Sequence, residues 1–148
     1  GATLQAIQTI LVEVGSDRLR HQPGGDAIAG KALTEAVALH RALLRKHADI
    51  PRLVGNAADT LMALALHRVR HGQLEQAQDL FAEAVARLGG DDPTVPSGRL
   101  LKRSLAHTHL GDLAAKNGDR ALADREHAAA AVDLDGAAHD EALRVDSM

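Results

Sequence analysis

Residues 59–88, DTLMALALHRVRHGQLEQAQDLFAEAVARL, carry two amphipathic helical patterns that meet at Gly72. The second sets Leu74, Ala77, Phe81, Ala84 and Leu88 three and four residues apart, along one stripe of an α-helix. A lone helix hairpin cannot bury that stripe. Neighbouring hairpins must cover it, and similar patterns on both sides point to a repeated architecture.

Upstream, Leu53, Val54, Ala57, Leu61, Leu64, Ala65 and Val69 extend the first pattern back to Pro51. Proline fits a first helical turn, where its missing amide costs nothing, and Asp49 reads as the cap before it. An earlier helix is expected from Asp26, taken as its N-cap, to His47, with Ile28, Ala32, Ala36, Leu39 and Leu43 on its stripe. Before it, Leu4, Ile7, Leu11 and Val14 mark a helix over residues 3–14, and Gln22-Pro23-Gly24-Gly25 breaks the chain between the two.

Downstream, Gly89-Gly90-Asp91-Asp92-Pro93 ends the quoted stretch. A fifth helix follows Ser97 with Leu101, Leu105, Leu110, Leu113 and Ala114, and Asn117-Gly118-Asp119 closes it and caps a sixth. The sixth carries Ala123, Ala130, Ala131 and Leu134. Gly136 reads as its interruption, leaving residues 137–148 as a short terminal helix or tail. The expectation is one all-α domain spanning residues 1–148, built as an α-α superhelix of about three antiparallel hairpins at 3–47, 51–88 and 97–135.

Composition narrows the function classes. The 148 residues include one Phe, no Tyr, no Trp and no Cys. The core must therefore be small and aliphatic, and disulfides, thiolate metal sites and cysteine nucleophiles are excluded. Absence of cysteine suits a reducing compartment, so a cytoplasmic location is expected. No run approaches the ~18 to 20 apolar residues of a membrane span, and no secretory leader is recognisable. The first residue is Gly1 rather than Met, which suggests a segment of a longer protein. Net charge is -3, but residues 18–52 carry a net +4 and residues 119–148 a net -5. Either solvated helix faces or attraction between unlike ends accounts for that asymmetry.

Superposing Gly72 on Gly118 gives a period of 46 residues without gaps. Ala65 then matches Gly111, Ala77 matches Ala123, and Ala84 matches Ala130; Ala32 stands near the place of Ala77 in a degenerate third copy. Leu61, Leu64, Ala65, Gly72, Ala77, Phe81, Ala84 and Pro93 resemble the pattern of the tetratricopeptide repeat. The last copy offers Leu110, Gly111, Gly118, Ala123 and Ala130, with His107 and His127 where large aromatics are usual. The period exceeds the ~34 residues typical of the family and is similar to its lengthened kinesin-light-chain-like and bacterial regulatory versions.

That resemblance implies a right-handed stack whose first helices line a groove for peptides or partner proteins. Groove candidates are Asp59, Met62, Ala63, Leu66 and Arg70 in the central copy, and Leu105, Thr108, His109, Asp112 and Lys116 in the last. Arg70 and Lys116 are suited to pairing an acidic group on the partner. Ala63 and His109 stand where the family's chaperone-binding members place asparagines, which disfavours that ligand.

Nine histidines are the other unusual feature. His67 and His71 have the i, i+4 spacing that lets two imidazoles meet one ion, but lack a local third ligand. His107 and His109 point about 200° apart on a helix, and Asp124 with His127 forms a single Asp-x-x-His pair without the second copy a di-iron bundle needs. His127 reads as a core histidine in place of an aromatic, with charging between about pH 5 and 7 as a possible switch.

Phosphate loops, nucleophile elbows and zincin motifs are not found, so neither enzymatic activity nor a cofactor is expected. Weak net charge and the lack of aromatic platforms argue against direct nucleic-acid binding. The expected function is a non-catalytic scaffold that binds a protein or peptide. The alternatives are a regulatory or sensor segment of a larger bacterial signalling or transcription protein, and a His-rich helical bundle holding metal through His67, His71 and a distant ligand. A homodimer is also considered, with the degenerate last copy as its surface.

Overall fold

A computed structural model describes residues 25–146. These form five helices: α1 (Gly25–Lys46), α2 (Pro51–Arg70), α3 (Leu74–Arg87), α4 (Ser97–Lys116) and α5 (Arg120–Asp146). Among the described residues there is no strand, and the fold is all-α. The helix expected at residues 3–14 lies outside the described residues.

The turns explain why the helices stop where they do. At Gly72, φ is +74°, and at Gly118 it is +83°, a left-handed conformation that costs glycine little and side-chain-bearing residues more. The amide of Gln73 donates to the Arg68 carbonyl at 2.8 Å and that of Gly72 to Val69 at 3.0 Å. The same pair of bonds recurs from Asp119 to Ala114 at 2.9 Å and from Gly118 to Ala115 at 3.1 Å. Both are Schellman caps, which satisfy the last carbonyls of α2 and α4. Every partner is displaced by the 46 residues that separate Gly72 from Gly118.

Helix starts differ in part from expectation. Asp119 does cap α5, accepting from the Leu122 amide at 3.1 Å. Asp49 does not cap α2: Ile50 occupies the N-cap in extended conformation with no side-chain bond, because Pro51 already removes one amide that would need an acceptor. Asp26 lies inside the first turn of α1 rather than ahead of it, where its charge still complements the helix dipole.

The main core joins four helices. Ala29, Leu33 and Val37 of α1, Ala58, Leu61, Leu64 and Ala65 of α2, Ala77, Phe81 and Ala84 of α3, and Ala106, Leu110 and Leu113 of α4 form one buried cluster. Each large aliphatic or aromatic side chain removed from water contributes ~1.5 to 3 kcal/mol. Small residues at Ala65, Ala77 and Ala84 let the helices approach closely, so a core with a single Phe is still dense.

Packing runs between consecutive helices, and beyond these the principal contact is between α2 and α4. The two first helices of successive hairpins therefore lie side by side. Arg41 of α1 reaches Glu83 of α3, its Nε donating at 3.0 Å, so α1 and α3 are also linked.

Gly136 does not interrupt the last helix. α5 is continuous to Asp146 because its second half has a packing partner: Ala137 is buried with Leu100 and Val95. A Cβ on Gly136 would meet Leu100 Cδ1 at 3.3 Å, so the residue reads as a close-contact position between α4 and α5. Tertiary burial there outweighs the ~1 kcal/mol by which glycine disfavours a helix interior. Among the described residues no helix is long and apolar enough to cross a membrane.

Candidate partner-binding face

Helices α2 and α4 present their outer stripes side by side. Lys102 of α4 places Nζ 2.7 Å and 2.6 Å from the two carboxylate oxygens of Asp59 on α2, tying the stripes together. On these two helices three leucines remain partly in water: Leu66 of α2 is 37% exposed, and Leu101 and Leu105 of α4 are 52% and 50% exposed. Leu101 and Leu105 lie one turn apart on α4 and form an apolar step beside the ion pair.

The residues expected in the groove divide into distinct environments. Asp59, Leu66, Leu105, Asp112 and Lys116 are at least partly open to solvent. Met62 is 6% exposed and belongs to the main core, because α2 packs against α1, α3 and α4 and its buried arc is wider than one stripe. Arg70 is exposed, but its Nη2 lies 3.9 Å from Asp26 Oδ1, which draws it toward α1. Thr108 returns its hydroxyl to the Ser104 carbonyl at 2.9 Å. Ala63 is half-buried against the core.

His109 turns inward toward α3. Its ring stacks on Phe81 with centroids 4.8 Å apart and planes inclined by 14°. Burial holds its pKa below the ordinary histidine value, with the nearby Asp112 charge pulling weakly the other way. It is therefore part of the seam between α3 and α4.

His127 is placed over Gly111, where an added Cβ would come within 2.4 Å of its ring. It is not a core histidine: the side chain is exposed, and Nε2 donates to Asp112 Oδ1 at 3.0 Å. Phe81 is enclosed because α4 follows and brings His109 over it, whereas α5 is the last described helix.

A second polar constellation, which sequence reasoning missed, joins α4 to α5. Arg103 donates from Nε and Nη2 to the two carboxylate oxygens of Asp133, both at 2.8 Å, and from Nη1 to the Asp92 carbonyl at 2.8 Å. His107 donates from Nδ1 to Glu126 at 2.6 Å, and its Nε2 is 3.9 Å from Asp133. Arg103, His107 and Asp133 line one wall of a 260 Å³ cleft that also includes Leu100, Val132 and Gly136. Arg103 directs both its forks at protein oxygens, which suits it to holding α4, α5 and the 88–96 loop together. Arg103 and Asp133 lie 30 residues apart on helices that look solvated in sequence, so only their buried positions reveal the pair.

Among the described residues one group of three potential metal ligands comes together: Asp26, His67 and His71. Among the described residues Asp124 and His127 belong to no such group, and His127 hydrogen-bonds to Asp112. In comparison with known proteins, the chain matches no protein-family model, no curated protein and no solved structure.

Proposed function

We propose that this chain is a tetratricopeptide-like helical repeat that binds a peptide segment of a partner protein on the α2–α4 face, without a chemical step. The carrying observation is the exposed apolar step of Leu101 and Leu105 on α4, together with exposed Leu66 on the adjacent α2. The repeated caps at Gly72 and Gly118 support the repeat reading. A helix or extended segment with two or three apolar side chains fits this face, and an acidic group at one end would meet Lys116 in the last turn of α4. Regulation through such binding, as part of a larger bacterial protein, is compatible with the same face.

Selection of peptides from a random display library tests the reading. Enriched peptides should share apolar residues flanked by acids, and should lose binding to the Leu101→Glu, Leu105→Glu double variant while its melting temperature stays near wild type. Peptides that bind wild type and double variant equally would place the site elsewhere.

A further inference from the structure

The corner where α1 begins and α2 ends gathers three ligand-type side chains from two elements. His67 and His71 lie one turn apart at the end of α2, with ring centroids 4.5 Å apart and planes inclined by 37°. Asp26, in the first turn of α1, reaches both. Its Oδ1 is 3.7 Å from His67 Nε2, and its Oδ2 accepts a hydrogen bond from His71 Nε2. One donor atom from each residue falls within 4.8 Å of the other two. The competing cation is Arg70, whose Nη2 lies 3.9 Å from Asp26 Oδ1.

One side of this cluster is rigid and the other adjustable. The His67 side chain is buried, and its Nε2 donates to the Asp26 backbone carbonyl at 3.0 Å while Nδ1 is buried without a partner. Its ring lies against bare backbone: a Cβ at Gly30 would come within 2.5 Å of Cε1 and 2.8 Å of Nε2. His71, by contrast, is the C-cap of α2, with an exposed side chain that opens the cluster to solvent.

We propose that Asp26, His67 and His71 form a binding site for a divalent first-row transition cation of the Zn²⁺ class. Two imidazoles and one carboxylate suit such an ion better than Mg²⁺ or Ca²⁺, which take oxygen ligands. Bonds of ~2.0 to 2.2 Å place neighbouring tetrahedral ligands ~3.3 Å apart, a contraction that rotation of the exposed His71 side chain provides. The ion takes the Nε2 lone pair of His71, whose proton moves from its bond with Asp26 to Nδ1, and the Nε2 lone pair of His67, whose proton then resides on Nδ1. That nitrogen has no partner beforehand, so the tautomer change breaks no hydrogen bond there. The Asp26 carbonyl, released from its donor, or water from the open side supplies the fourth ligand. Bound this way, the ion pins the start of α1 to the end of α2.

Titration of the untagged chain with Co²⁺, followed by Zn²⁺ competition, tests the site. Wild type should take up one ion per chain with visible d–d absorption, and its melting temperature should rise with Zn²⁺ concentration. Asp26→Asn and His71→Ala, both at exposed side chains, should each weaken binding by more than about tenfold, whereas His139→Ala on α5 should leave it unchanged. Failure of wild type to bind stoichiometrically, or equal affinity in the Asp26→Asn and His71→Ala variants, overturns the proposal. Neither outcome bears on peptide binding at the α2–α4 face.

Discussion

Phe81 of α3 and His109 of α4 stack face to face, with centroids 4.8 Å apart. Phe81 has no exposed surface and is the largest fully buried side chain among the described residues, so the contact between the α2–α3 and α4–α5 hairpins is built around it. Phe81→Ala removes the chain's single aromatic hydrocarbon ring from a site lined by three helices. The expected loss is about 3 to 5 kcal/mol in urea unfolding, a large share of the ~5 to 15 kcal/mol of a typical domain. A loss below about 1 kcal/mol would show that the site collapses around the smaller side chain.

Two histidines give the fold a pH dependence. Burial lowers the pKa of His40 on α1, where neither ring nitrogen makes a hydrogen bond of normal geometry and the Ala36 carbonyl and Asp59 charge offset burial only partly. His109 is lowered for the same main reason. In the unfolded chain both titrate near ~6.5. Below that pH the unfolded state therefore binds more protons than the native state, and stability must fall until the native histidines also charge. Urea midpoints should be level above about pH 7 and decline toward pH 5. In His109→Phe, which keeps a ring on Phe81, that decline should be shallower; an identical slope contradicts the assignment to His109.

The buried pair of Arg103 and Asp133 is expected to be costly to break and nearly neutral to replace. Asp133→Ala leaves a buried guanidinium without its bidentate partner, and a loss of about 3 to 5 kcal/mol is expected. The double change Arg103→Met, Asp133→Leu should recover most of that loss, since desolvation is relieved on both sides. Denaturant unfolding of the three proteins measures the difference directly. A single-variant loss as small as that of an exposed pair, under about 1 kcal/mol, would mean that water reaches the cleft.

Helix α5 provides a backbone test. Because the helix runs through Gly136 and packs Ala137 on Leu100, Gly136→Pro should cost about 3 kcal/mol or more and detach its second half. Helicity measured by circular dichroism should drop together with stability. If α5 ended before Gly136, the same substitution would be nearly silent.

What was legible in the sequence was local. Gly72, Pro51 and the apolar periodicities place α2 and α3 to within a residue, and Gly118 marks the end of α4, because caps and stripes are set by neighbours three to five positions away. Features that depend on distant partners were not legible. Gly136 looks like a breaker until Leu100 is seen against it, and Met62 looks like a groove residue until α2 is seen packed by three helices. His67 and His71 announce a possible ion site, but their third ligand, Asp26, lies more than 40 residues away on another helix. His109 and Arg103 likewise acquire their roles from Phe81 and Asp133, across helix interfaces that periodicity does not specify.

The α2–α4 face is tested most directly by hydrogen–deuterium exchange of the chain with and without a bound peptide from the display selection. Amides of α2 and α4, especially around Leu66 and residues 101–105, should gain protection, while the outer turns of α3 and α5 should exchange as before. Protection confined to α3 or α5, with α2 and α4 unchanged, would contradict the account.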